Sequence, residues 1–142
     1  MKTIVNTKAL LLDSTGNMLI LYRSDTHPTR AGRADLPGGQ VDFGEDIGQA
    51  LVREITEETG LSVLLSDLQP IYGGAEVYEN DNRVRMLYIG HLPTEKPAIQ
   101  LSREHSRSAW IPISELEQLE TEYHSFYQDA LHYIREHNLV KV

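Results

Sequence analysis

The chain has 142 residues, 13 Lys plus Arg against 21 Asp plus Glu, a formal net charge of −8 and no cysteine. That length supports one domain with a proper core and excludes two; the absence of cysteine excludes a disulfide framework, a thiolate zinc site and a cysteine nucleophile. The acidic balance disfavours nucleic acid and anionic membranes as partners, so holding a polyanion would need a local basic patch or a bridging cation.

No run approaches the roughly 18 apolar residues of a membrane helix, the longest being Met18 to Tyr22. The N-terminal MKTIVNTKALLL lacks the small-residue cleavage site of a signal peptide, so a cytoplasmic location is expected. Two β-rich runs, Ile4 to Leu12 and Met18 to Arg23, flank the turn formers Asp13-Ser14-Thr15-Gly16-Asn17 and predict a hairpin. Ser24 to Asp35 reads as a polar loop carrying Arg30 and Arg33, and Pro37-Gly38-Gly39 leads to a short strand with Val41 and Phe43. Ile47 to Thr59 has a helical pattern, with Asp46 and Gln49 in capping-box spacing at its start and Gly60 at its end.

Leu61 to Gly73 and Arg83 to Leu92 read as strands, the second closing a hairpin over Glu79-Asn80-Asp81-Asn82. Trp110-Ile111 is a last short strand, and Ser114 caps a brief helix through Leu119. From Tyr123 the residues Tyr123, Phe126, Tyr127, Ala130, Leu131 and Ile134 fall at helical spacing. Strands mixed with helices at the middle and the end point to an α/β fold, a mixed sheet covered on two faces, as a single domain over residues 1–142.

The central helix carries the chemistry. At about 100° per residue, Glu54, Glu57 and Glu58 share one edge, while Leu51, Val52 and Ile55 take the adjoining arc toward the core. Like charges at i,i+3 and i,i+4 repel, and the C-terminal half of a helix disfavours anions. Such a cluster is either a solvated acidic face or a divalent-cation site, since hard cations take carboxylate oxygens and engage substrate phosphates.

The segment in front of that helix decides between them. From Gly39 the sequence runs five residues to Glu45, seven to Arg53-Glu54-Ile55, then Glu57-Glu58 and Gly60-Leu61. It resembles the Nudix box at every constrained position; chance would produce such a coincidence less than about once in a million chains of this size. The resemblance implies a Nudix-like α/β/α sandwich with a mixed β-sheet. The implied activity is hydrolysis of a nucleoside diphosphate linked to a group X, with Mg²⁺ or Mn²⁺. Glu57 and Glu58 would be metal ligands, helped by the Gly38 carbonyl, and Glu54 would hold a metal-bound water or act as general base. Arg53 would orient Glu54, and Glu45 would support the loop and helix.

Family members often add an acid from the loop before a Trp-bearing strand, a role for which Glu104 is the candidate. Three residues before Trp110, where the family often has a second acid, this chain has Arg107. The general base is therefore expected at Glu54, with an acid outside the box as the open alternative. For substrate binding Arg23 and Arg33 are the candidate cations, and Tyr78 lies where a Tyr is associated with dinucleoside polyphosphate hydrolases. Ala34 stands where many relatives have Trp, so no stacking residue carries over. The expected partner is a small nucleotide, with a homodimer open. The alternative reading is a silent Nudix-like domain that binds a nucleotide or metabolite as a sensor, against which the intact Arg53-Glu54 and Glu57-Glu58 argue.

Overall fold

The structure, a computed structural model, describes residues 1–26, 31–119 and 123–140. Its strands are β1 (Thr3–Leu12), β2 (Asn17–Arg23), β3 (Ala34–Asp35), β4 (Gly38–Gln40), β5 (Leu68–Tyr78), β6 (Asp81–His91) and β7 (His105–Pro112), and its helices are α1 (Ile47–Thr59) and α2 (His124–Glu136). β1 runs parallel to β6 along its whole length, from Thr3↔Asn82 to Leu12↔His91. β5 and β6 form an antiparallel hairpin, turned at Glu79 and Asn80, whose φ values of 49° and 66° are those of a two-residue primed turn.

The expected β1–β2 hairpin forms, but its antiparallel ladder is short. The two strands touch only at Leu12↔Met18 and then part, β1 taking β4 and β6 while β2 pairs with β7 and β3. The reason is burial: Ala9 to Leu12 and Met18 to Leu21 are apolar without interruption and covered on both faces, the pattern of central rather than hairpin strands. Their shared turn is held by Asp13, whose carboxylate accepts from the Thr15 and Asn17 amides, the Thr15 hydroxyl and the distant Lys96 amide.

Alternation along β1 builds two cores, one on each side of the sheet. Ala9 and Leu11 join Leu19, Leu21, Leu51 and Ile55 beneath α1. Leu10 and Leu12 join Ile20, Leu87, Tyr127 and Leu131 beneath α2. The result is a mixed sheet between helices.

Other boundaries differ from expectation. Val41 and Phe43 lie beyond β4: the Val41 amide still donates to the Val5 carbonyl at 2.8 Å, but Phe43 is fully exposed where the chain turns through Gly44 toward α1. Leu65–Asp67 forms a 3₁₀ turn, closed by the Asp67 carboxylate on the Leu64 amide, so β5 starts at Leu68 and runs to Tyr78. β7 begins at His105, five residues before Trp110, because pairing with β2 extends to Arg23↔His105 across a bulge. The segment after Pro112 is 3₁₀ over Ile113–Gln118 without a side-chain cap. α1 has the expected ends. Among the described residues no helix is long and apolar enough to cross a membrane.

Candidate active site

The glycine loop is built around a backbone that only glycine fits. Gly38 has φ +135°, and a Cβ there would lie 2.0 Å from the Thr7 carbonyl oxygen of the paired strand. This close approach puts the Gly38 amide 2.8 Å from the Glu58 Oε1 that accepts from it. A Cβ on Gly39 would lie 2.9 Å from the Glu54 carboxylate, so the second glycine makes room for that acid.

Beneath the loop lies a buried ionic network. Lys8 Nζ donates to Asp35 Oδ2 at 3.0 Å and to the carbonyls of Leu36 and Gly38 at 3.5 and 3.3 Å. Asp35, 1% exposed, also accepts from Arg23 Nη2 at 3.2 Å, from the Tyr127 hydroxyl at 2.8 Å and from the Leu36 amide. Burial lowers the Lys8 pKa, but the charges of Asp35, Tyr123 and Glu58 outweigh it and hold the ammonium above its ordinary value. The loop is thereby clamped to both β1 and α2.

On α1 the Asp46 carboxylate caps the first turn through the Gln49 amide, and Gly60 closes the last with φ 73°. Arg53 is the hub of the acidic edge: it donates to Glu45 at 2.8 and 3.0 Å, to Glu54 at 3.2 Å and to Glu57 at 3.3 Å. Its hydrogen bonds to Glu45 and the charges around it raise its pKa and pull that of Glu45 down. Glu45 also accepts from the Asp42 amide. It thus ties the loop to the helix.

The acids differ in exposure. Glu57 has 57% of its side chain exposed and faces Arg53 rather than the cleft. Glu54 is largely covered, and desolvation raises its pKa against the pull of Arg53. Glu58 is 5% exposed; desolvation, opposed by Lys8 and the Gly38 amide and reinforced by Glu54 and Glu104, pushes its pKa up to about 8.

Glu54, Glu58, Glu104, Gly38 and Arg23 line one cleft of roughly 370 Å³, shared with Asn6, Lys8, Gln40, Arg83, His105 and Tyr123. Oxygens of Glu58 and Glu104 and a ring nitrogen of His105 lie within 4.8 Å of one another, and His105 Nδ1 is 3.8 Å from Glu58 Oε2. A carboxylate this desolvated, facing a second acid, fits a hard cation. Arg33 instead lies on an exposed loop beside Tyr22 and Gln118, in a separate depression. Tyr78 stands at the end of β5 with its ring against Arg83, and Arg30 lies outside the described residues. Sequence reasoning missed Lys8 and Asp35. A lysine between the apolar residues of β1 was the available signal, because a buried cation requires a buried anion.

With that geometry in place, the likenesses to known proteins are specific. The NUDIX domain family profile matches residues 2–132; the chain belongs to that family. A Mycobacterium tuberculosis relative is 37% identical over 92 residues, which span 63% of this chain and 60% of that protein's length. The CTP pyrophosphohydrolase of Escherichia coli K12 is 27% identical over 107 residues, 75% of each chain. Among solved structures, the MutT protein of Methanosarcina mazei Go1 superposes with a TM-score of 0.78 at 26% identity, covering 95% of both chains.

Proposed function

We propose that this chain is a divalent-metal-dependent pyrophosphohydrolase that cleaves a nucleoside diphosphate linked to X into a nucleoside monophosphate and phospho-X. The observation that carries the reading is Glu58, a buried carboxyl with its pKa near 8, set beside Glu54 and Glu104 in the same cleft. The family supplies the reaction class, and the relative named as a CTP pyrophosphohydrolase is consistent with a small nucleotide substrate.

Glu58, Glu104, Glu54 and the Gly38 carbonyl would hold Mg²⁺ or Mn²⁺, while Glu57 is paired with Arg53. When bound, the ion neutralises phosphoryl charge and acidifies water. Glu54 takes a proton from the attacking water. The new P–O bond forms as the anhydride P–O bond breaks, and the leaving phosphate departs with its electron pair. Arg53 keeps Glu54 aimed by its 3.2 Å bond, and Arg23 presents a cation to the phosphates.

Phosphate release after coupling to a phosphatase, measured with Mg²⁺ and Mn²⁺ over nucleoside triphosphates, ADP-ribose, nucleotide sugars and dinucleoside polyphosphates, tests this reading. Turnover of at least one class is expected, falling by on the order of 10²-fold or more in Glu54→Gln and Glu58→Gln. Binding without turnover across the panel would leave the sensor reading in its place.

A further inference from the structure

The half of the cleft away from the carboxylates carries the polar side chains of Asn6, Gln40 and Arg83. Alternation along β1 turns Ile4, Asn6 and Lys8 to one face, and register places Gln40 opposite Asn6 and Arg83 opposite Ile4. All of them line the cleft. The cations there are not equivalent. Lys8 and Arg23 are both paired with Asp35, and the neighbouring Arg85 is paired with Glu76. Arg83 has no carboxylate partner among the described residues, and its buried Nε has no hydrogen-bond partner. The Tyr78 ring, 5.1 Å from the guanidinium carbon, supports one face of the fork and leaves its donor edge for something else.

Position says what that something is. Four residues of β1 separate Ile4 from Lys8, roughly 13 Å of strand, and Lys8 is level with the glycine loop that carries the Glu58 contact. A group meeting Arg83 while its phosphate sits at the carboxylates is therefore a nucleoside's length away, beyond the next phosphate. An arginine fork donates two parallel bonds and accepts none, so it selects a base edge with two adjacent acceptors. Guanine offers O6 and N7, and cytosine offers O2 and N3. Adenine sets an amino donor beside its acceptors, and uracil sets N3–H between its carbonyls.

We infer that Arg83, supported by Tyr78 and flanked by Asn6 and Gln40, is the base-selecting residue of this cleft and favours a nucleobase with two adjacent hydrogen-bond acceptors, guanine or cytosine. This rests on the hydrolase reading only for the placement of the phosphate.

The test is calorimetric titration with GMP, CMP, AMP and UMP, together with initial rates on the four triphosphates, for the native protein, Arg83→Ala and Arg83→Lys. The native protein binds GMP or CMP about tenfold or more tighter than AMP and UMP, and the GMP and CMP arms tell the two sources apart. In Arg83→Ala the preference collapses, and Arg83→Lys, which keeps the charge but not the fork, does not restore it. Equal affinity of the native protein for all four bases would overturn the inference. So would an Arg83→Ala loss of the same factor for every base and for inorganic pyrophosphate, which would mark a phosphate contact. If nothing in the substrate panel turns over while the Arg83-dependent binding preference persists, the hydrolase reading fails and the base-selection inference stands.

Discussion

Asp35 is the residue on which the site's architecture converges. It receives donors from β1, β2, α2 and its own loop, and replacing it with Ala strands the 4%-exposed Lys8 as a buried charge. Asp35→Ala is expected to lose about 3–5 kcal/mol of unfolding free energy, and Tyr127→Phe about 1 kcal/mol, both read by chemical denaturation. Gly39→Ala acts differently, since its Cβ would press on a movable carboxylate rather than on backbone. Turnover should fall by on the order of 10²-fold while the circular dichroism spectrum is kept. The closeness of Arg53 to Glu54 and Glu57 follows from helix spacing, whereas Glu45 lies outside α1 and its supporting role was implied by the family resemblance. The role of Asp35 was not legible in the sequence, because its partners come from residues 8, 23 and 127 and no local pattern links them.

At the scale of elements, α1 was read to the residue because its signals are local. Asp46 caps through the amide three positions on, and Gly60 takes the left-handed conformation that ends the helix. Asp46→Ala should cost about 1 kcal/mol, measurable as a lowered denaturation midpoint with an unchanged slope. The strands show the converse. β1 and β2 were located within a residue and their antiparallel turn was legible, yet their longer pairings with β6 and β7 were not, since the apolar run of β1 specifies burial on both faces without naming the strand beside it. The parallel β1–β6 ladder joins segments about 80 residues apart, a contact that neither spacing nor turn chemistry announces.

For the whole molecule, the buried acids link stability to pH and to metal. Glu58 has its folded pKa raised from 4.5 to about 8. Below pH 4.5 it is protonated in both states and costs nothing. As pH rises, the unfolded chain ionises first, and folding is penalised by up to about 1.4 kcal/mol per pH unit. Metal-free protein should therefore lose thermal stability between about pH 4.5 and 8, a decline shallower in Glu58→Gln. Because a bound cation pairs with the ionised form and stabilises the folded state by mass action, added Mg²⁺ or Mn²⁺ should raise the melting temperature more at pH 8 than at pH 5. An equal metal-induced shift at both values would contradict the assignment of Glu58.

The residues between Gly39 and Leu61 carried the family, the helix with its caps, the acidic edge and the reaction class, because a hydrolytic motif written on one turn-helix unit is set by short-range geometry. They could not say which carboxylate is buried, that Lys8 and Asp35 clamp the glycine loop, or that Arg83 faces the cleft without a counter-ion among the described residues. Desolvation and pairing across strands depend on which distant segments pack together. Those contacts exist only once the mixed sheet has closed between its two helices.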